Sequence, residues 1–296
     1  MSPHADDNTV LTVGQMIMQV GKQFEQAGLY YGHGTDNSLD EAAALVFSLL
    51  QLEHASAEEN YAQSIPADTQ AKIQECVQRR ISSREPLAYI LREAWFADYS
   101  FYVDERVLVP RSPIAELIQD YFQPWIDPQA VHSILDVGTG SGCIAAACAL
   151  AFPYAQVTAT DISTDALEVA AINVERFKLS DRLALLQADL LDGVHGEFDV
   201  IISNPPYVPD SEQQELPDEY GFEPALGLFS GQDGLDSARR ILRDAPQLLS
   251  PGGILVLEVG AQWQALEEAF PKLPFTWLEF ERGGEGVAVL NATDFR

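Results

Sequence analysis

Two short stretches bring together residue types that could do chemistry. The first, Asp136-Val137-Gly138-Thr139-Gly140-Ser141-Gly142, runs from an apolar strand into a helix, where glycines let the backbone turn sharply and approach a ligand closely. The second, Asn204-Pro205-Pro206-Tyr207, follows the apolar run 198–203. Its two prolines fix the chain and remove two backbone donors, leaving the side-chain carbonyl of Asn204 and the main-chain carbonyl of Pro205 to point into a pocket. Two acceptors match the two hydrogens of an NH2 group. An amide or aromatic amine is a poor nucleophile because its lone pair is delocalised, and accepting both hydrogens counters that. Tyr207 offers a flat face to a planar amide or base. No dedicated general base is required, since the nitrogen proton becomes acidic once the nitrogen is alkylated, and positioning supplies much of the rate.

These residues need elements to hold them. Apolar strands are expected at 133–137, 156–160, 183–187, 198–203, 254–259, 275–280 and 287–290. Helices are expected at 142–151, 164–177, 263–270 and 237–249, the last closed by Ser250-Pro251-Gly252-Gly253. The alternation implies a mostly parallel sheet covered on both faces, with ligands at the carboxyl ends of its strands. Asp161 ends the strand that follows the glycine loop, about 20 residues on, where a carboxylate can accept both hydroxyls of a ribose. Alone, strand-end glycines are often turns and a strand-end Asp is often a helix N-cap. The pair at this spacing points to a nucleotide-type cofactor.

Upstream the period is helical. Val13, Met16, Ile17, Val20 and Phe24 make one stripe, Leu45, Val46, Leu49 and Leu52 a second, and Ile73, Val77 and Ile81 a third. The breaks fall at 28–37 and at Ile65-Pro66-Ala67-Asp68. Residues 93–109 are rich in aromatic and β-branched side chains, with turn candidates at Asp98 and Asp104-Glu105, and predict a β-hairpin. The expected organisation is a helical domain over 1–88, a hairpin linker over 89–110 and an α/β domain over 111–296.

Composition narrows the partners. The 296 residues are 47% hydrophobic and carry a formal net charge of −28, so DNA and anionic membranes are disfavoured and a basic protein partner is favoured. Solubility or a salt-adapted host accounts for the same charge equally well. Cys76, Cys143 and Cys148 have neither disulfide nor metal spacing and are expected to be reduced and buried. His4, His33, His54, His132 and His195 are scattered without metal spacing, so no metal is expected. Residues 1–8 lack a secretory pattern and no apolar run is long enough for a bilayer, which makes the expected location cytoplasmic.

The Gly-x-Gly-x-Gly loop preceded by Asp136 resembles that of the class I S-adenosylmethionine-dependent methyltransferases. The resemblance implies a Rossmann-like seven-stranded sheet with the final strand antiparallel. It also implies a loop, Gly138, Thr139, Gly140, Ser141 and Gly142, that wraps the methionine and ribose of S-adenosylmethionine. Asp136 would lie at the methionine end and Asp161 on the ribose; Asp189 would sit beside adenine with Leu190 packing there, or else Asp189 is an N-cap. Asn204, Pro205, Pro206 and Tyr207 are similar to the transfer motif of amino-group methyltransferases, with Asn204 also bordering the cofactor. Those enzymes modify adenine in DNA or glutamine in proteins. A DNA enzyme would need a basic face and usually a target-recognition region, and only about 90 residues follow this motif.

Over nearly its full length the chain resembles the protein glutamine methyltransferases (PrmC/HemK-like): helical domain, hairpin, Pro110-Arg111, glycine loop, Asn-Pro-Pro-Tyr and Glu223-Pro224-Ala225-Leu226. Release-factor enzymes of that family read Pro-Arg-Pro-Asp-Thr-Glu. Here Pro110-Arg111-Ser112-Pro113-Ile114-Ala115 is similar to the ribosomal-protein glutamine methyltransferases of the PrmB type. That resemblance implies N(5)-methylation of a glutamine in the third protein of the large ribosomal subunit, before or during assembly, with substrate recognition by the helical domain. Methylation of a release factor is the alternative, and an adenine amino-methyltransferase a more remote one; the oligomeric state stays open. Arg111 would contact the cofactor, shape the entrance or form a structural ion pair. Glu223 and Pro224 would shape the substrate channel or form a surface turn.

Overall fold

The computed structural model describes residues 11–52 and 57–296; His4, His54 and residues 1–8 lie outside them. The chain divides into two compact units. One comprises 1–92 together with 217–222, the other 93–216 and 223–296.

The first unit is helical, with α1 (Val13–Ala27), α2 (Ser38–Leu50), α3 (Ala57–Asn60), α4 (Ala67–Ser83) and α5 (Leu87–Leu91). Thr12 and Gln15 start α1 with a reciprocal capping box, each side chain accepting the other's backbone N–H. Gly28, at φ 58°, stops it in the left-handed region. The three stripes meet in one core around Val20, Phe24, Leu45, Ile73 and Val77, all at 0% exposure. Burying each such side chain stabilises the unit by roughly 1.5–3 kcal/mol. Cys76 is half-buried at the edge of this core rather than inside it, whereas Cys143 and Cys148 are buried.

A buried ionic cluster holds 217–222 in this unit. Arg80, 1% exposed, donates Nε–H to Glu41 Oε1 at 2.7 Å and Nη2–H to the Tyr30 carbonyl at 2.9 Å. Its Nη1 lies 3.5 Å from Glu219 Oε1. Glu219 also accepts the Tyr30 N–H at 2.9 Å and Arg84 Nη1–H at 3.2 Å. Burial pushes the Glu219 carboxyl up, but the Tyr30 donor and the two guanidiniums outweigh it and hold the group below its ordinary value.

The second unit opens with the antiparallel pair β1 (Ala94–Phe96) and β2 (Tyr99–Phe101), turned by Ala97 and Asp98 at φ 47° and 65°. This hairpin is shorter than the 93–109 expected. Pairing ends after Phe101 because a side chain takes over: Asn173 Oδ1 accepts the Tyr102 N–H at 2.8 Å and Nδ2–H donates to the Tyr102 carbonyl at 2.9 Å.

The elements that follow are α6 (Ile114–Gln119), β3 (Ser133–Val137), α7 (Cys143–Ala151), β4 (Gln156–Asp161), α8 (Thr164–Arg176), β5 (Leu183–Gln187) and β6 (Phe198–Ser203). Then come α9 (Ala225–Leu228), α10 (Asp236–Asp244), β7 (Leu249–Glu258), α11 (Trp263–Ala269), β8 (Thr276–Trp277) and β9 (Val287–Asn291). One seven-stranded sheet forms in the order β5-β4-β3-β6-β7-β9-β8. Strands β3 to β7 are parallel, and the final strand β9 is antiparallel to both neighbours. Buried clusters lie on both faces, one built on α6 and α7, the other on α10 and α11.

Two expectations shift here. The helix predicted over 237–249 ends at Asp244, because Pro246 offers no N–H and disfavours helical geometry at the residue before it. Ser250-Pro251-Gly252-Gly253 therefore lies inside β7, against a register shift opposite Phe198 and Val200. Asp199 fastens that irregular end: Oδ2 accepts the His132 and Ser133 N–H groups at 2.9 and 3.0 Å, and Oδ1 accepts the Ser250 hydroxyl at 2.8 Å. The strand predicted over 275–280 contracts to Thr276–Trp277.

Candidate active site

Strands β3 and β6 are sheet neighbours, with Val137 paired to Ser203, and β4 flanks β3 with Thr160 opposite Val137. Three loops therefore leave the sheet side by side: the glycine loop, the Asp161 turn and Asn204-Pro205-Pro206-Tyr207. The Ser203 hydroxyl, donating to the Val137 carbonyl at 2.7 Å, ties two of them at their root.

The glycine loop is folded on Asp136 and Asp161. Asp136 Oδ2 accepts the Thr139 hydroxyl at 2.6 Å and the Ala145 N–H at 3.1 Å. Asp136 is fully buried, and its Oδ1 has no hydrogen-bond partner among the described residues. Such an atom is costly unless something polar reaches it. Burial above all, with the nearby Asp161 charge, lifts Asp136 to about 7 against the pull of Thr139 and Ala145. Asp161 Oδ2 accepts the Gly140 N–H and Oδ1 the Ser163 N–H, each at 2.9 Å. Each oxygen keeps a lone pair, so the carboxylate can still accept two hydroxyls. Gly140 has φ 53°, and a Cβ there would meet no atom within 4 Å, so the backbone lines open space. Gly142 instead closes the packing, its hypothetical Cβ 3.1 Å from Ala170 Cβ. Thr139 and Ser141 are buried, and the Ser141 carbonyl accepts Asn173 Nδ2–H at 2.8 Å.

In the second motif Asn204, Pro206 and Tyr207 are half-buried and Pro205 is buried. The Tyr207 carbonyl is pressed on by Gly234, where a Cβ would come within 2.2 Å of it. Beyond it, Val208 and Phe229 form a parallel bridge.

Comparison with known proteins places this geometry. Residues 121–218 match the methyltransferase small domain, and residues 17–91 match the PrmC N-terminal domain. The ribosomal protein uL3 glutamine methyltransferase of Neisseria meningitidis is 44% identical over 94% of this chain and 92% of its own. That of Francisella tularensis is 44% identical over 96% and 91%. This chain belongs to the uL3 glutamine methyltransferase family. It is an enzyme of the methyltransferase class, and its fold is shared with the hMettl16 catalytic domain (TM-score 0.51, 17% identity, 84% of this chain and 89% of that one).

The remaining sequence-predicted residues of this methyltransferase fall as follows. Asp189 is no helix cap; its Oδ1 takes Arg240 Nη1–H at 2.9 Å. Leu190, at φ 56°, packs half-buried against the α10 side of the sheet, and its carbonyl accepts the Thr160 hydroxyl at 3.2 Å. Arg111 and Glu223 find each other. Arg111 donates Nη1–H and Nη2–H to the two Glu223 oxygens at 2.6 and 2.9 Å, and Glu223 also accepts the Val109 N–H at 3.0 Å. Glu223 is 5% exposed, so the surface-turn alternative is set aside. Among the described residues no cluster of three or more His, Cys, Asp or Glu could hold a metal ion.

Two residues of the site escaped the sequence reading. Asn173 sits at 0% exposure on α8 and braces the glycine loop against Tyr102. Glu258 ends β7, 4% exposed, and accepts a hydrogen bond from the Ser112 hydroxyl. A polar residue at a helical core position, or a carboxylate closing an apolar strand, is the signal that marks such positions.

Proposed function

We propose that this chain transfers a methyl group from S-adenosylmethionine to the side-chain amide nitrogen of a glutamine in ribosomal protein uL3. Its relatives' names supply the substrate, and the observation that carries the chemistry is the β3–β6 register, which sets the glycine loop beside the Asn-Pro-Pro-Tyr motif. The residues present fit the cofactor. Asp136 offers an orphaned buried oxygen, Asp161 keeps acceptor capacity for a ribose, and Gly138 and Gly140 line open space. Gly138, Thr139, Gly140, Ser141 and Gly142 would hold it with these carboxylates, Asp189 and Leu190 would border its adenine, and Asn204 would close its methyl end. When bound, the cofactor supplies an electrophilic methyl group on a sulfonium centre.

The chain's own task is to prepare the nitrogen. Asn204 Oδ1 and the Pro205 carbonyl accept both hydrogens of the glutamine NH2, drawing its lone pair out of amide resonance. Pro206 keeps that pair of acceptors rigid, and the Tyr207 ring packs on the amide plane. The surplus proton leaves to water once the nitrogen is alkylated. Recognition of the protein substrate is assigned to the helical domain, and a ribosomal-protein substrate favours a cytoplasmic reaction.

The test is Asn204→Ala. Transfer to uL3 should fall by at least about 100-fold, as expected when a reacting group loses its alignment, while calorimetric affinity for S-adenosylmethionine stays within about twofold. Retained transfer would remove Asn204 from the reaction.

A further inference from the structure

Asn173 carries a carboxamide into the packed side of α8, at 0% exposure, where the other buried residues are Ala166, Val169, Ala170 and Val174. An apolar side chain would fill that place as well, and an amide there costs free energy unless its hydrogen-bonding groups are met. Backbone from two distant segments meets them. Nδ2 donates to the Ser141 carbonyl at 2.8 Å and to the Tyr102 carbonyl at 2.9 Å, while Oδ1 accepts the Tyr102 N–H at 2.8 Å. Both amide hydrogens are thus engaged, and a carboxylate in their place would face two carbonyl oxygens.

Ser141 stands between Gly140 at φ 53° and Gly142 at φ 77°, both in the left-handed region. Glycine enters and leaves that region readily, so such a stretch keeps one shape only when outside contacts hold it. The Gly138 and Thr139 N–H groups are held on the Thr160 carbonyl at 2.9 and 2.8 Å, and the Gly140 N–H on Asp161 at 2.9 Å. Asn173 takes the next peptide by its carbonyl. Fixing the Ser141 carbonyl fixes a planar peptide whose N–H, that of Gly142, donates to the Thr139 carbonyl at 2.9 Å. The other end of the bridge is anchored too. The Tyr102 phenol donates to Asp104 Oδ2 at 2.9 Å, and Asp104 is 4% exposed.

We propose that Asn173 is a positioning residue for the cofactor: bridging Ser141 to Tyr102, it holds the glycine loop in its binding conformation before S-adenosylmethionine arrives. This rests on the reading of that loop as the cofactor's cradle. Asn173 touches neither cofactor nor substrate in this account and acts through Ser141. A loop that holds its binding conformation for only a fraction of the time loses apparent affinity by that fraction, yet once saturated it presents the same methyl group. Removing Asn173 therefore weakens cofactor binding and spares turnover at saturation.

The test uses the full chain with unmodified uL3, reading calorimetric S-adenosylmethionine affinity, kcat, both KM values and thermal midpoint. Asn173→Ala should weaken cofactor affinity about tenfold or more, the effect of a loop competent about a tenth of the time. The KM for S-adenosylmethionine should rise in step, with kcat and the KM for uL3 within about twofold. Val169→Ala, a truncation at 0% exposure one turn earlier on the same helix, should lower the thermal midpoint with cofactor affinity unchanged. A second measurement needs no substitution. By linkage, S-adenosylmethionine should slow hydrogen exchange of the wild-type Tyr102 amide by the same factor, about tenfold. The Ser133 amide, held by the Asp199 side chain at the amino end of the sheet, should slow less than about twofold. If Asn173→Ala does not fold, the exchange result decides alone. Unchanged affinity in Asn173→Ala, an equal loss in Val169→Ala, or no slowing at Tyr102 would overturn the positioning role while wild-type binding stands. A wild-type chain that binds no S-adenosylmethionine in the calorimeter would overturn the cofactor reading, and this inference with it.

Discussion

Asp136 is a buried carboxyl whose place under the glycine loop costs the fold stability at neutral pH. Its carboxyl is lifted from an ordinary 3.8 to about 7, chiefly by burial. Between those values the folded protein keeps a proton that the unfolded chain has released, so the stabilisation is complete below about pH 4 and is lost as pH rises through about 7. Glu258, lifted to about 7 by the same cause, acts in the same direction. Asp136→Asn cannot titrate. Its thermal midpoint, followed from about pH 4 to pH 8, should fall less than that of the wild type. Parallel profiles would mean that Asp136 is ionised throughout. The glycine loop around it was readable from sequence because its chemistry is written in consecutive residues. Glu258 was not, since its Ser112 donor lies 146 positions away and nothing local in an apolar strand announces such a partner.

Among the elements, the helical unit is tied together by a buried ionic cluster. Glu41, Arg80 and Glu219 are all at most 4% exposed, and breaking such a set by removing one partner typically costs about 3–5 kcal/mol. Arg80→Met should therefore destabilise that unit by about this amount in urea unfolding and speed amide exchange in 217–222. A loss under about 1 kcal/mol would show that the cluster only breaks even against its desolvation. Helix stripes and apolar strands were legible because burial imposes their period. The hairpin was over-extended and β7 read too short for one reason: the deciding contacts, Asn173 on Tyr102 and Asp199 on Ser250, lie 71 and 51 positions apart and replace or repair local pairing. The six residues 217–222, built into the helical unit from the far half of the sequence, have no local signature either.

For the whole molecule, the net charge of −28 is the property that bears on partner choice. A basic ribosomal protein should be drawn in by opposite charge, so its association rate should fall by about tenfold or more as salt rises from about 50 to 500 mM. A salt-independent rate would assign the acidity to solubility alone.

The acceptor nitrogen and the protein that carries it define the proposed reaction. The direct measurement is peptide mass spectrometry after the enzyme and S-adenosylmethionine are incubated separately with unmodified uL3 and with an unmodified release factor. One added methyl group on a glutamine side chain of uL3, with the release factor unchanged, is the predicted result. Methylation of the release factor in place of uL3, or of neither protein, would contradict it.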